Sequence, residues 1–327
     1  DFFKKAKNLK PDVIYVGGDI VHSKTQGISP ELIDSLSWWF KSMASICPVH
    51  IILGNHDGLM HNVDRQDAIT PIISALNIDN IFLYKKSGVY DTGFSGFKWC
   101  VFSCFDEDGW KNVKPEKGHV NIALYHGAVG GSLTDIDWQI EGENKLSFFE
   151  NYDFSLLGDI HKTQFLNEEK TIAYPGSTIQ QNYGEDTGKG FLFWDIKNKK
   201  DFEVTFHEIY HKSPFITIDW MGNVKDTVDS ISGSPDNSRY RIRSKQSITQ
   251  AETKQLQLDI KRLKNACEVV FKSESTFDSR MINTSSGSVN RENLRDISVQ
   301  KRLMREYYNG QNLSCKDFSL IDEKLEK

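Results

Sequence analysis

Acidic, amide and imidazole side chains recur in this 327-residue sequence directly after short apolar segments. A single Asp or Asn in such a place is typical of a turn or a helix cap. The repetition of the pattern is what indicates a functional site. The residues concerned are Asp19, Asn55, His126, Asp159 and His161, in the contexts Gly18-Asp19, Gly54-Asn55-His56-Asp57, His126-Gly127 and Gly158-Asp159-Ile160-His161.

Side chains of these types hold pairs of divalent cations in proteins. Two cations about 3.5–4 Å apart turn water into a nucleophile and neutralise the oxygens of a phosphoryl group. Mixed oxygen and imidazole ligands suit manganese or iron better than a closed structural zinc site. The sequence therefore predicts a site for phosphoester hydrolysis that uses two divalent metal ions, with Mn²⁺ as the expected cofactor.

The apolar segments alternate with helical ones, which predicts an α/β fold with functional groups at the ends of its strands. The chain opens with the end of a helix over 1–9, and a second helix is predicted over 30–46. The predicted strands of this first domain, which closes at residue 212, cover 12–16, 49–53, 99–103, 120–125, 154–157, 190–196 and 202–209.

Residues 213–275 form a second predicted unit, in which three strands alternate with two helices. In its middle strand Arg239, Arg241 and Arg243 alternate and so share one face, and Lys245 extends this positive stripe. The stripe predicts contact with a DNA backbone, and a solvated strand face is the alternative. A polar linker is predicted over 273–290. The last segment, 276–327, contains most of this linker and a tail with an amphipathic helix predicted over 292–308.

Composition limits the classes of partner. The net charge of −5 gives no overall attraction to nucleic acid, so DNA contact would depend on local basic surface or on metals. Five cysteines without a CxxC pair suit reduced thiols. The absence of a long apolar run predicts no membrane partner and a cytoplasmic protein, in the host cytoplasm if viral or the nucleus if eukaryotic. The start at Asp1, without Met or a signal peptide, indicates a cut chain.

The series of motifs at the strand ends resembles the calcineurin-like metallophosphoesterases. Two longer segments are similar to one branch, the SbcD nucleases, called Mre-eleven in eukaryotes and archaea. They are Gly18-Asp19-Ile20-Val21-His22, followed by Ser29-Pro30-Glu31, and Tyr174-Pro175-Gly176-Ser177-Thr178-Ile179-Gln180-Gln181. The resemblance covers residues 1–212 and implies a β-sandwich flanked by helices, then a small α+β capping domain at 213–275 and a helical tail.

The resemblance also implies roles for individual residues. Asp19 would bridge the two metal ions, Asn55 and His126 would bind the second ion, and His161 would bind the first. His56 would stabilise the transition state or act as general acid.

His22 would orient the DNA backbone. The implied partners are DNA and an SbcC-type ATPase, called Rad-fifty in eukaryotes, which the tail helix over 292–308 would dock, and a homodimer is a further expectation. A solvated helix without a partner is the alternative for the tail.

The sequence departs from the family pattern in two places. The family's opening Asp-x-His motif, which supplies two ligands of the first metal, does not precede Gly18, and we expect it in the upstream reading frame. Asp159 stands where the family has His in Gly-His-x-His. Since a carboxylate can donate to a hard cation, we expect a site with altered metal preference. Orientation of His161 without metal contact is the alternative role for Asp159.

The expected function is a metal-dependent DNA nuclease, cleaving as an exonuclease, an endonuclease or both, that acts on DNA ends in double-strand-break repair or recombination. The same fold and metals would also serve a calcineurin-like phosphatase or a small-molecule phosphodiesterase. A non-catalytic scaffold for the ATPase is a third alternative, favoured if the full-length protein binds no metal.

Overall fold

The computed structural model of the protein describes residues 1–22, 28–62, 64–141 and 144–273. It divides into one unit of Asp1–Ile242 and Gln250–Val270 and a second of Arg243–Thr249 and Phe271–Lys327. This division does not follow the boundaries expected at residues 212 and 275, which stay predictions. The helix expected over 292–308 lies outside the described residues. Among the described helices, none combines the length and apolarity needed to cross a membrane.

The first sheet is parallel, with the order β1 (Ile14–Val16), β2 (Val49–Ile52) and β3 (Ile81–Tyr84). The helices of this region are α1 (Phe2–Leu9), α2 (Pro30–Ala44) and α3 (Thr70–Leu76). Helix α2 begins at a Pro, and the Ser29 hydroxyl accepts from the Leu32 amide at 3.2 Å, which caps the helix. The spacing of its apolar residues aligns Leu36, Phe40 and Met43 on the face that packs against the sheet.

The second sheet has six strands: β4 (Gly88–Asp91), β5 (Phe97–Phe102), β6 (Val120–His126), β7 (Phe154–Gly158), β8 (Gln164–Phe165) and β9 (Ile172–Tyr174). Their order is β4-β5-β6-β7-β9-β8, parallel from β5 to β9 with an antiparallel strand at each edge. Every residue of β6 is buried, as expected for a strand covered on both faces. Two short 3₁₀ helices, Glu107–Asn112 and Leu146–Phe149, complete this layer.

Apolar side chains of the two sheets share one core. Ile52 and Tyr84 of the first sheet pack with Trp99, Val101 and Leu124 of the second. The described residues therefore adopt a mixed α/β fold with packed sheets, and the α/β class predicted from the sequence is confirmed.

The remaining elements follow in the predicted order. Strands β10 (Gly190–Ile196) and β11 (Phe202–Glu208) form an antiparallel pair. After them come β12 (Phe215–Asp219), α4 (Val224–Asp229), β13 (Arg239–Ser244), α5 (Gln250–Lys264) and β14 (Glu268–Ser273), with the sheet order β12-β13-β14.

We predict that Phe40→Ala lowers the free energy of unfolding by about 3–5 kcal/mol, because the fully buried ring fills the interface between α2 and the first sheet. Phe206→Ala is the matched control, since Phe206 is 40% exposed. Urea denaturation of both variants tests this. A loss for Phe40→Ala no larger than that for Phe206→Ala would contradict the packing described.

Candidate metal centre

Four strand ends bring the proposed ligands to one place. Asp19 follows β1, Asn55 follows β2, His126 is the last residue of β6, and Asp159 follows β7. Within each sheet the two strands concerned are parallel, so that their carboxyl ends lie at the same edge. The contribution of both sheets is what places residues far apart in sequence around a common point.

The Nε2 atom of His126 lies at the middle of this group. It is 3.3 Å from Oδ1 of Asp19, 3.3 Å from Oδ1 of Asn55 and 3.7 Å from Oδ1 of Asp159. One ligand atom each from Asp19, His126 and Asp159 lie within 4.8 Å of one another. The structure therefore brings together four of the five ligands predicted from the sequence.

The ring of His126 is fixed from its other side. Its Nδ1 lies 2.6 Å from the carbonyl oxygen of Gly17, so Nδ1–H donates to that oxygen. This bond leaves the lone pair of Nε2 directed towards the group of oxygens, as in histidines that ligate metals. The imidazole is buried, which keeps this orientation.

Asp57 joins the loops that carry Asp19 and Asn55. Its Oδ1 accepts from the amides of Ile20 and Val21 at 2.8 and 3.1 Å, and its Oδ2 accepts from the amide of Gly54 at 2.8 Å. Burial raises the pKa of Asp57 to about 6, although the three amides oppose this. Asp57 belongs to a sequence motif, but no role was predicted for it, since only the structure shows where its oxygens point.

Close packing of the backbone makes two glycines necessary here. A Cβ on Gly54 would lie 2.2 Å from Oδ1 of Asp19, and one on Gly158 would lie 2.1 Å from the Gly17 carbonyl oxygen. The backbone φ angles of Asp19 and Asp159 are 54° and 96°. Residues other than Gly seldom adopt positive φ angles. Strained backbone of this kind clusters at functional sites.

The charges of the group influence one another. Burial would lower the pKa of His126, but its hydrogen bond and attraction to Asp19 raise the pKa overall. Burial would raise the pKa of Asp19, but the hydrogen bonds and charges of His126 and His56 together lower it. Burial raises the pKa of Asp159, and the charge of Asp19 raises it further. A cation among the two carboxylates would relieve their mutual repulsion.

His161, the fifth predicted ligand, has a different partner. Its Nδ1 lies 2.9 Å from Oε1 of Glu185, and this hydrogen bond is the main cause of its raised pKa. Glu185 was not found from the sequence, because it lies in a polar loop after the Tyr174–Gln181 segment without a pattern of its own.

His56 and His22 stack beside the ligand group. Their ring centroids are 5.8 Å apart, with planes at 11°. The amide of His56 donates to Oδ1 of Asp19 at 2.9 Å, and its Nδ1 lies 2.6 Å from the carbonyl oxygen of His22. Both histidines are exposed. Each therefore presents an imidazole to solvent next to the proposed metal ligands.

The predicted DNA-binding arginines share one face of β13, where half-buried Arg239, Arg241 and Arg243 alternate with buried residues. The guanidinium of Arg239 donates to the Ser213 carbonyl at 3.1 Å and lies 4.9 Å from the centre of the Phe215 ring.

Arg241 donates to the hydroxyl of Thr217 at 3.2 Å and to the carbonyl of Tyr183 at 3.0 Å. Because these partners belong to the protein itself, Arg239 and Arg241 stabilise the fold through them. Lys245 is exposed. Contact of the four residues with DNA stays a prediction.

The residues of the group fit a divalent cation. Two carboxylates, one amide oxygen and one oriented imidazole nitrogen are hard and borderline donors of the kinds that Mn²⁺ accepts. Asp19, Asn55, His126 and Asp159 would hold the ion.

The first half of the chain matches a known protein family. Residues 1–163 match the family model described as calcineurin-like phosphoesterase. The chain carries a calcineurin-like phosphoesterase domain. Members of that family are metal-dependent hydrolases of phosphoesters, and Asp19, Asn55, His126 and Asp159 all lie within the matched residues.

Two viral proteins are similar to part of this chain. "Uncharacterized protein R555" of Acanthamoeba polyphaga mimivirus is 41% identical over 200 residues, which cover 57% of this chain and 14% of that protein. "Putative phosphoesterase 244L" of Invertebrate iridescent virus 6 is 25% identical over 190 residues, which cover 55% of this chain and 63% of that protein. The chain thus spans less than two thirds of the length of either relative.

We predict that Gly54→Ala weakens Mn²⁺ binding by about 10- to 100-fold, the usual loss when groups that orient metal ligands are disturbed. The added methyl would displace Asp19 and the ring of His126, whose Cε1 would lie only 2.6 Å from it. Calorimetric titration with Mn²⁺ measures the affinity. Gly188→Ala is the control, since a Cβ there meets no atom within 4 Å. Equal affinities of the two variants would contradict the proposed ligand set.

Proposed function

We propose that this chain is the phosphoesterase part of a Mn²⁺-dependent DNA nuclease that acts on DNA ends in double-strand-break repair or recombination. The observation that carries the proposal is the convergence of Asp19, Asn55, His126 and Asp159 on one point, with His56 beside it. The choice of DNA as substrate is supported by the resemblance of two sequence segments to the SbcD nucleases.

The longer of these segments, Tyr174–Gln181, lies against the site. The hydroxyl of Tyr174 donates to the carbonyl of Gly127 at 2.7 Å, directly after His126. The amide of Ser177 donates to the carbonyl of His161 at 3.2 Å. Gly176 has φ of 76°, and a Cβ there would lie 2.8 Å from that carbonyl oxygen. The residues that carry the SbcD resemblance therefore support the loop of Asp159 and His161.

Bound divalent cations would supply a nucleophile from water and positive charge for the phosphoryl oxygens. The protein's own part is to position the donors. The Gly17 carbonyl orients His126, and Asp57 fixes the loops of Asp19 and Asn55 through three amides. Preorganised groups of this kind lower the barrier because they need no rearrangement during the reaction.

His56 is the candidate proton donor to the leaving oxygen. Its amide is anchored on Asp19, and its Nδ1–H donates to the carbonyl of His22, so that Nε2 is the atom left to exchange a proton. The ring is exposed and next to the ligand group without belonging to it. A phosphate group bound next to Asp19 would therefore lie within reach of this imidazole. The adjacent ring of His22 would contact the backbone of the DNA.

An SbcC-type ATPase is the proposed partner, docked through residues 292–308, and a homodimer is proposed on the same resemblance. An amphipathic helix too small to build its own core needs such a partner surface.

We predict that His56→Ala leaves Mn²⁺ affinity unchanged and lowers cleavage of linear double-stranded DNA by about 10²- to 10⁴-fold, the usual contribution of a positioned general acid. The full-length protein is assayed with Mn²⁺, and affinity is measured by calorimetry. His207→Ala, on β11, is the matched control. Loss of Mn²⁺ binding in His56→Ala would make His56 a ligand, and unchanged cleavage would remove it from the mechanism.

The same assays test the substrate class. Wild-type protein is given DNA with free ends, a phosphoserine peptide and a small phosphodiester. Preferred turnover of DNA supports the nuclease. Preferred turnover of either other substrate would contradict it in favour of a phosphatase or a small-molecule phosphodiesterase, and a protein that binds no Mn²⁺ would be a scaffold.

A further inference from the structure

The ring of His161 is held by a carboxylate that lies deeper in the protein. Nδ1 of His161 is 2.9 Å from Oε1 of Glu185. Glu185 is buried, whereas His161 is half-buried. Because the carboxylate is an acceptor only, Nδ1 carries the proton of the neutral ring, and Nε2 is left with a free lone pair.

Three further donors fix the carboxylate of Glu185 itself. Its Oε1 accepts from Nδ2 of Asn182 at 2.8 Å. Its Oε2 accepts from the amide of Gln181 at 3.1 Å and lies 3.4 Å from Nζ of Lys189. Glu185 therefore has a single orientation, and the direction of the His161 ring follows from it.

Lys189 connects this carboxylate to the backbone of the site. Its ammonium is buried and donates to the carbonyl of His161 at 2.7 Å and to Oδ1 of Asp135 at 2.7 Å. The group thus contains two carboxylates and one ammonium, which leaves one negative charge in excess next to His161. A cation bound at His161 would balance that charge.

The loop that carries Glu185 is also fixed at its start. The side-chain amide of Gln180 donates to the carbonyls of Glu185 and Phe215 at 2.9 and 3.2 Å, and its oxygen accepts from the amide of Phe215 at 3.0 Å. Gln180 is buried. The loop is therefore tied to β12 and cannot shift without breaking these bonds.

We propose that Glu185 is a positioning residue that holds His161 as the Nδ1–H tautomer, so that Nε2 can ligate a divalent cation. Lys189, itself held by Asp135, fixes Glu185 on the side away from His161. The proposal rests on the proposed function for the presence of a metal ion at His161. Carboxylates that hold metal-ligating histidines in this way orient the ring and strengthen its donor nitrogen.

Glu185→Gln tests the proposal because it changes one oxygen into a donor. The amide oxygen is expected to stay with Lys189 and the Gln181 amide, since an NH₂ group there would face two donors. The NH₂ group then faces Nδ1 of His161, which converts the ring to the Nε2–H tautomer, and it also faces Nδ2 of Asn182, whose hydrogen bond is lost. We expect Mn²⁺ affinity to fall by about 10- to 100-fold. Exposed Glu168→Gln is the control and should bind as wild type.

A double-mutant cycle separates positioning from general destabilisation. If Glu185 acts through His161, Glu185→Gln has no further effect on Mn²⁺ affinity once His161→Ala is present. An equal loss in both backgrounds would overturn the proposal, as would wild-type affinity of Glu185→Gln.

The tautomer of His161 can be measured without any metal ion, so this test does not depend on the proposed function. Nitrogen NMR of labelled histidine at alkaline pH reports the tautomer of His161 in wild-type protein without any variant. The Nδ1–H form supports the proposal, and the Nε2–H form overturns it. Absence of Mn²⁺ binding and of DNA cleavage in wild type, with the Nδ1–H form present, would instead contradict the proposed function.

Discussion

The hydrogen bond from Nδ1 of His126 to the carbonyl of Gly17 is the interaction on which the site depends, because it joins the two sheets at their carboxyl edges. It connects the end of β6 to the turn after β1 and leaves Nε2 among the side-chain oxygens. Gly54 and Gly158 allow the loops to come this close, because a Cβ on Gly54 would overlap Asp19 and a Cβ on Gly158 would overlap the carbonyl oxygen of Gly17. The ligand geometry is thus a consequence of backbone packing between the layers.

The second constraint is electrostatic. Burial raises the pKa of Asp57 and of Asp159, and the charge of nearby Asp19 raises both further. Asp57 is satisfied by backbone amides, whereas Asp19 and Asp159 direct oxygens at His126. Concentrated buried charge of this kind destabilises a fold and is typical of functional sites, and a bound divalent cation would supply the missing positive charge. Residues 1–163 accordingly match calcineurin-like phosphoesterases.

Sequence patterns predicted the strands and the positions of the ligands at their ends, because both depend on residues that are close in sequence. Apolar runs before Asp19, Asn55, His126 and Asp159 marked strands, and parallel strands bring their ends together. Helix α3 and strands β3 and β4, which were not predicted, have seven, four and four residues, too few to show a period, and no Gly-Asp or Gly-Asn motif follows them of the kind that marked the equally short β1 and β2.

Contacts between distant residues could not be predicted in the same way. Alternation placed Arg239 and Arg241 on one face, but nothing in their spacing indicates Ser213 or Tyr183 as partners. Glu185 was missed for the same reason, because only the folded chain brings it into contact with His161, 24 residues away in sequence. The roles that follow from pairing across the fold therefore required the structure.

The central claim is that Asp19, Asn55, His126 and Asp159 form a divalent-cation site. The most direct test is anomalous X-ray diffraction from crystals of the full-length protein grown with Mn²⁺. We expect a manganese peak in contact with Nε2 of His126 and with side-chain oxygens of Asp19 and Asp159. A structure in which manganese binds elsewhere, with His126 still hydrogen-bonded to Asp19 and no ion between them, would contradict the claim.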